Sequence, residues 1–217
     1  VYPGAGNLGG GGFTVAHLAN GRQLTLDYRE KAPGAAHRDM YLDSTGEART
    51  DWSQHGHLAA GVPGAVAGLF AFHPYARLPF AQLIAPAIEL AEKGFALTAA
   101  EANSLNRARE QFIRHNTITP AFVSATPWKA GDTLIQTDLA NTLKRMRDGG
   151  QKGFYEGETA RLIVEEIERG KGIISYEDLK NYTARERAPV VFDYKGYTVM
   201  TMPLPSSGGV LLPKMMN

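Results

Sequence analysis

The sequence predicts an α+β fold, with a β-hairpin near each end of the chain and a group of helices between them. One hairpin pattern surrounds Asn20-Gly21 and a second surrounds residues 193–196. Helical periodicity and helix-capping patterns fill much of the sequence between the two. Because strands and helices do not alternate, the order does not fit repeating βαβ units. We expect the helices to form a lobe on a sheet that residues outside this chain complete.

The first hairpin is predicted from strand patterns over residues 13–18 and 23–28, which flank Asn20-Gly21, a strong short turn signal. Apolar and polar positions alternate in the second strand, which predicts one buried face and one polar face. The apolar positions are Leu24, Leu26 and Tyr28, and the polar ones are Gln23, Thr25 and Asp27.

The middle of the chain, after an irregular stretch over residues 33–56, carries helix start and stop signals. We predict six helices. The first begins at Pro63, the second covers residues 80–93 before Gly94, and the third follows a Thr98–Glu101 capping box. The fourth and fifth cover residues 138–147 and 158–169, and the sixth follows a Ser175–Asp178 capping box. The second hairpin is predicted from residues 190–192 and 197–202.

Charge and cysteine content exclude several classes of protein. The 217 residues include 23 basic and 22 acidic side chains, and a net charge of +1 gives no electrostatic basis for binding nucleic acid or an anionic membrane. The lack of cysteine excludes disulfides, thiolate metal sites and a cysteine nucleophile. No apolar stretch approaches the ~20 residues that span a bilayer, so we expect no membrane span. The sequence starts without Met or a signal-peptide pattern, so we expect it to begin after a cut or a truncation.

Two glycine patterns near the start have candidate roles. Residues 4–9 match G-x-G-x-x-G, but a hairpin follows them instead of the helix that a dinucleotide site needs, so we reject a nucleotide site. Residues 9–12 are four consecutive glycines. Such a run suits a close approach to other backbone or to a ligand, but a tight structural turn is the favoured interpretation.

Histidine and serine clusters give weaker signals. His55, His57 and His73 lack a supporting carboxylate at metal-site spacing, so we interpret them as polar loop residues and expect no metal and no cofactor. Ser206-Ser207 has no evident base nearby and is typical of a loop.

Arg29 is the candidate binding residue, because it directly follows a strand whose sheet fixes side-chain direction. A guanidinium held there can bind a carboxylate through two parallel hydrogen bonds. On physical grounds alone, the favoured interpretation is a surface ion pair with Glu30 or Asp27.

Four stretches together resemble the γ-glutamyltransferase family: residues 7–13, 27–33, 57–68 and 202–209. Residues 86–91, 131–134, 153–157 and 174–179 fit the same pattern, in the same order, so the resemblance covers essentially the whole chain. Leu204 stands where a proline is common in the family, and Pro213 falls where a helix is expected to continue.

The resemblance implies an N-terminal-nucleophile hydrolase with an αββα sandwich, made as a precursor that cuts itself before a threonine. That threonine begins a small subunit and attacks the γ-glutamyl amide of glutathione, and water, an amino acid or a peptide then takes the acyl group. Residues 1–217 would be a single-domain part of the large subunit, with the N-terminal portion and the small subunit absent and no activity alone. Export to the periplasm or outside is also implied.

For the site, the resemblance implies that Arg29 binds the α-carboxylate of the glutamyl group. It places no catalytic residue and no metal ligand in this chain. The glycine run, the loop from residue 61 to 63 and residues 206–209 are implied to be structural.

Two alternatives remain open from the sequence. A cephalosporin or glutaryl acylase of the same fold would also use a carboxylate-binding arginine. The second alternative is a non-catalytic fragment. Failure of the chain to associate with a chain that begins with threonine would favour this alternative.

Overall fold

Helices fill the middle of the chain and strands lie mainly at its two ends in the computed structural model, which describes residues 2, 4–5 and 7–216. The helices are α1 (Thr50–Gln54), α2 (Ala65–Phe72), α3 (Phe80–Lys93), α4 (Ala99–His115), α5 (Thr137–Gly149), α6 (Lys152–Tyr155), α7 (Gly157–Arg169), α8 (Tyr176–Lys180) and α9 (Gly208–Met216). The strands are β1 (Phe13–His17), β2 (Gln23–Asp27), β3 (Phe95–Ala96), β4 (Thr133–Leu134), β5 (Arg185–Arg187), β6 (Val190–Tyr194) and β7 (Tyr197–Thr201). The α+β prediction is confirmed.

A three-stranded antiparallel sheet in the order β1-β2-β5 joins the two ends of the described chain. Phe13 pairs with Asp27 across β1 and β2, and Asp27 pairs in turn with Arg185 of β5. β5 was not predicted, because its sequence, Arg-Glu-Arg, has no apolar alternation. The two-residue strands β3 and β4, which pair with each other, were not predicted either.

Both predicted hairpins are confirmed, with one correction to the first. Its loop closes through the Leu18 N–H, which donates to the Arg22 carbonyl at 2.9 Å, and Gly21 has a positive φ of 82°. The predicted polar face of β2 is wrong, because Thr25 and Asp27 are 0% and 9% exposed. β5 pairs with β2 in the same sheet, and its Arg187 bonds both buried polar side chains: the Thr25 hydroxyl donates to the Arg187 carbonyl, and the Arg187 Nε donates to Asp27.

Local capping signals place the helices well. Thr98 with Glu101 and Ser175 with Asp178 form the predicted reciprocal capping boxes. Helix α3 ends before Gly94, whose φ is 78°. The capping bonds join residues three apart in the chain, so the local sequence alone specifies them.

The predicted helix start at Pro63 needs correction, and the predicted loop at Ser206-Ser207 is confirmed. The helix predicted to begin at Pro63 begins at Ala65, because the Pro63 carbonyl is turned toward the Tyr155 hydroxyl, 2.8 Å away. Ser206 and Ser207 lie in a bend and a turn before α9, as predicted, and α9 begins at Gly208 and continues through Pro213.

The main hydrophobic core lies where α2, α3, α5, α6, α7 and α8 meet, and α3 packs along α5. Its fully buried members include Val66, Ala91, Met146, Ala160 and Leu179. A smaller cluster joins α4 to the β3–β4 pair through Leu97, Ala102, Leu105 and Leu134. Within the described residues, no helix is both long enough and apolar enough to cross a bilayer.

Gly64→Ala is expected to destabilise the protein by about 1–3 kcal/mol, because overpacking forces backbone to move. An added Cβ would lie 2.1 Å from the Tyr28 carbonyl oxygen and 2.1 Å from the Tyr182 hydroxyl. Urea unfolding measures the change.

Gly149→Ala is the matched control, because no heavy atom outside its own turn lies within 4 Å of a Cβ added at this helical position. We expect it to stabilise the protein by about 0.5–1 kcal/mol through reduced chain entropy in the unfolded state. Equal effects of the two substitutions would contradict the close packing at Gly64.

Candidate carboxylate-binding site

Arg29 is the second residue after the end of β2, and its side chain is 53% exposed. Its Nε donates to a Glu30 carboxylate oxygen at 3.2 Å, and its guanidinium carbon lies 5.6 Å from the centroid of the Phe13 ring. Among the described residues, these are the contacts of the guanidinium. The terminal nitrogens, which form the fork that a carboxylate binds, donate no hydrogen bond to any described residue.

The backbone of Arg29 is held on both sides of its Cα. Its N–H donates to Asp27 Oδ1 at 3.1 Å, and its carbonyl accepts a hydrogen bond from the Tyr182 hydroxyl at 2.7 Å. Asp27 pairs with Arg187 at 2.7 Å, so it is not the ion-pair partner of Arg29 that the sequence analysis considered. The exposed guanidinium of Arg29 therefore projects from a main chain that hydrogen bonds hold on both sides.

The glycine run, residues 9–12, packs against the backbone of residues 28–30. A Cβ added at Gly11 would lie 2.5 Å from the Tyr28 carbonyl oxygen and 2.9 Å from the Arg29 carbonyl carbon. The Gly10 carbonyl accepts hydrogen bonds from the N–H groups of Gly64 and Ala65, both at 2.9 Å. The run thus makes the close approach to other backbone that was the less favoured of the two interpretations. The favoured interpretation, a tight turn, holds only for residues 7–10, where the Gly10 N–H donates to the Asn7 carbonyl at 3.2 Å.

The segment after Arg29 is tied to the loop before α2. Lys31 and Val62 exchange two backbone hydrogen bonds, at 3.1 Å and 2.8 Å. The Lys31 ammonium donates to the Thr183 carbonyl at 2.8 Å and lies 4.4 Å from the centroid of the Tyr182 ring. Burial, together with the charge of Arg185, lowers the pKa of Lys31. The loop from residue 61 to 63 holds backbone in place, as predicted.

Tyr182 is a site residue that sequence reasoning missed. Its side chain is 3% exposed, and its ring lies parallel to that of Tyr155, with centroids 5.8 Å apart. Burial, assisted by the negative charges of Asp27 and Glu30, raises the pKa of Tyr182 to about 12. Its hydroxyl therefore stays protonated at neutral pH and can donate to Arg29. The bond spans 153 residues, so no spacing in the sequence signals it.

The three candidate histidines do not form a metal site. His57 Nε2 lies 2.8 Å from a Glu166 carboxylate oxygen, His73 Nε2 lies 3.2 Å from the Leu78 carbonyl oxygen, and His55 stacks on His115. Across the described residues, no group of three or more His, Cys, Asp or Glu side chains is placed to hold a metal ion.

The remaining motifs have structural positions. Gly4 to Gly9 is followed by β1 and not by a helix, which agrees with rejecting a nucleotide site, although Gly6 lies outside the described residues. Ser206 and Ser207 lead into α9, where their carbonyls accept N–H groups of its first turn.

An apolar cavity of about 620 Å³ lies beside α2, α3 and α5, apart from Arg29. Its walls are mainly aliphatic and aromatic side chains, including Leu69, Phe72, Phe80, Leu83, Ile84 and Leu143. The described residues that line the cavity include no acid–base pair, and Arg29 is not among them.

Two solved structures identify the fold. The gamma-glutamyltranspeptidase of Helicobacter pylori superposes with a TM-score of 0.92 at 44% identity, covering 100% of this chain and 63% of that one. The cephalosporin acylase of Bacillus halodurans superposes with a TM-score of 0.74 at 23% identity, covering 91% of this chain and 38% of that one, and this match shows the fold alone. The chain therefore has part of the N-terminal-nucleophile hydrolase fold.

The family follows from the sequence comparisons. The family model for gamma-glutamyltranspeptidase matches residues 1–217, and the chain belongs to this family. The glutathione hydrolase proenzyme of Pseudomonas sp. (strain A14) is 45% identical over 220 residues, covering 100% of this chain and 38% of that protein. The chain thus spans well under half the length of this relative.

Asp27→Asn is expected to lower the free energy of unfolding by about 1–3 kcal/mol, because it weakens a charge-assisted, largely buried bond to Arg187. The value is reduced from that of a fully buried pair since the Arg187 side chain is 35% exposed. Chemical denaturation measures it. Asp148→Asn, which breaks the exposed pair with Arg147, is the control and should leave stability unchanged. Similar losses in both variants would contradict a special role for the Asp27 pair.

Proposed function

We propose that this chain is a large-subunit part of a γ-glutamyltransferase that hydrolyses and transfers the γ-glutamyl group of glutathione and related amides. Its role is to supply scaffold over residues 1–217 and to bind the α-carboxylate of the donor through Arg29. The supporting observation is an exposed guanidinium on a main chain fixed by Asp27 and Tyr182.

The geometry suits recognition of a carboxylate. A planar guanidinium can donate two parallel hydrogen bonds to the two oxygens, which fixes the orientation of the bound group as well as its charge. Glu30 meets Nε, so the side of the fork formed by the terminal nitrogens is left for the substrate. The Phe13 ring supports the guanidinium from β1 through a cation–π contact.

The chemical step is assigned to a small subunit cut from the same precursor. Its N-terminal threonine hydroxyl would attack the γ-amide, with the terminal amine as base and backbone amides stabilising the oxyanion. Water then hydrolyses the acyl-enzyme, or an amino acid or peptide accepts the acyl group. The name proenzyme carried by the relatives supports a precursor. We propose export to the periplasm or outside from the resemblance to the family.

Two measurements separate this proposal from its alternatives. Glutaryl amides keep a carboxylate but lack the α-amino group, so preference for γ-glutamyl over glutaryl amides excludes an acylase. Intact mass and N-terminal sequencing of the purified protein test for a second chain that begins with threonine. Its absence would support a non-catalytic fragment.

Arg29→Lys is expected to weaken donor binding by about 1.5–3 kcal/mol, because lysine keeps the charge but loses the fork. In the assembled enzyme the KM for a γ-glutamyl anilide should rise by roughly 10- to 150-fold, with a much smaller change in kcat.

Arg38→Lys is the matched control, since Arg38 also pairs with the next residue, Asp39, through its Nε at 2.8 Å. Its side chain is 91% exposed, and we expect no change in KM. An unchanged KM for Arg29→Lys would exclude Arg29 as the carboxylate-binding residue.

A further inference from the structure

We propose that Tyr182 is a positioning residue for donor binding, acting by holding the main-chain carbonyl of Arg29. This inference rests on the proposed role of Arg29. Tyr182 touches neither the guanidinium nor, on this proposal, the substrate. Its effect passes through the backbone from which the arginine side chain projects.

The hydrogen bond is well placed to fix that backbone. The Tyr182 hydroxyl donates to the Arg29 carbonyl at 2.7 Å, and the phenol is 3% exposed, so bulk water does not compete for the bond. On the other side of the residue, the N–H is held by Asp27. Both peptide groups that define the direction of the Arg29 Cα–Cβ bond are therefore restrained.

Tyr182 is itself held rigidly. Its ring is within 4° of parallel to the Tyr155 ring, and the Lys31 ammonium lies 4.4 Å from the centroid of the Tyr182 ring. The hydroxyl occupies the space that a side chain at Gly64 would fill, since a Cβ there would lie 2.1 Å from it. The absence of a side chain at Gly64, just before α2, thus leaves room for the Tyr182 hydroxyl.

The expected consequence is on binding more than on chemistry. A fork that binds both carboxylate oxygens tolerates displacement of only about 0.5 Å. Loss of the hydroxyl would free the Arg29 carbonyl to rotate and would spread the positions of a long, otherwise exposed side chain. The nucleophile and the oxyanion-binding groups would be unaffected.

Tyr182→Phe in the complete proenzyme tests this proposal, because it removes the hydroxyl and keeps the ring. We expect normal self-cleavage, a KM for a γ-glutamyl anilide raised about 3- to 10-fold, and a kcat within about twofold of the wild type. Tyr41→Phe is the matched control. It also removes a hydroxyl that donates to a distant carbonyl, that of Leu58 at 3.4 Å, and should leave KM unchanged.

A double-mutant cycle with Arg29→Lys distinguishes positioning from a general loss of stability. If Tyr182 acts through the arginine fork, Tyr182→Phe should raise KM by less than about twofold once Arg29 is lysine. The same factor in both backgrounds, or a Tyr182→Phe enzyme with wild-type KM, overturns the proposal.

The same experiment separates this proposal from the one it rests on. A wild-type proenzyme without γ-glutamyl activity, or an Arg29→Lys variant with normal KM, overturns both. A wild-type enzyme that is active and sensitive to Arg29→Lys, but indifferent to Tyr182→Phe, overturns only the positioning role.

Discussion

The close approach of the glycine run to the backbone after β2 is the constraint on which the candidate site depends. Gly11 lies against the peptide groups of Tyr28 and Arg29, where any side chain would collide with main chain. Gly10 then connects the same segment to the first N–H groups of α2. Strand end, glycine run and helix start are thereby joined by backbone alone, which leaves the Arg29 side chain exposed on a rigid support.

Long-range polar contacts complete that support. Arg187 of β5 neutralises the buried Asp27, which accepts the Arg29 N–H, and Tyr182 binds the Arg29 carbonyl. Both partners come from the far end of the described chain, so closure of the three-stranded sheet assembles the site. An arginine placed in this way can be exposed and still have a restricted position, as selective binding of a carboxylate requires.

The family and the fold are consistent with this arrangement. The segment that contains Arg29 lies within the stretch over residues 27–33 that resembles the γ-glutamyltransferases, and the glycine run lies within the stretch over residues 7–13. In the structure the two stretches pack against each other, since Gly11 lies against the peptide groups of Tyr28 and Arg29. The same packing extends to Gly64, in the stretch over residues 57–68.

The sequence by itself determined the α+β class, the two hairpins, both capping boxes and the stop of α3 at Gly94, because each depends on residues close together in the chain. It also singled out Arg29 and, through several ordered motifs, the family. Only the tertiary structure decided that Asp27 is buried by Arg187, that Pro63 precedes α2, and that Tyr182 holds Arg29. These are contacts between residues 92, 153 or 160 positions apart, and their partners are set by the packing of whole elements and not by any local pattern.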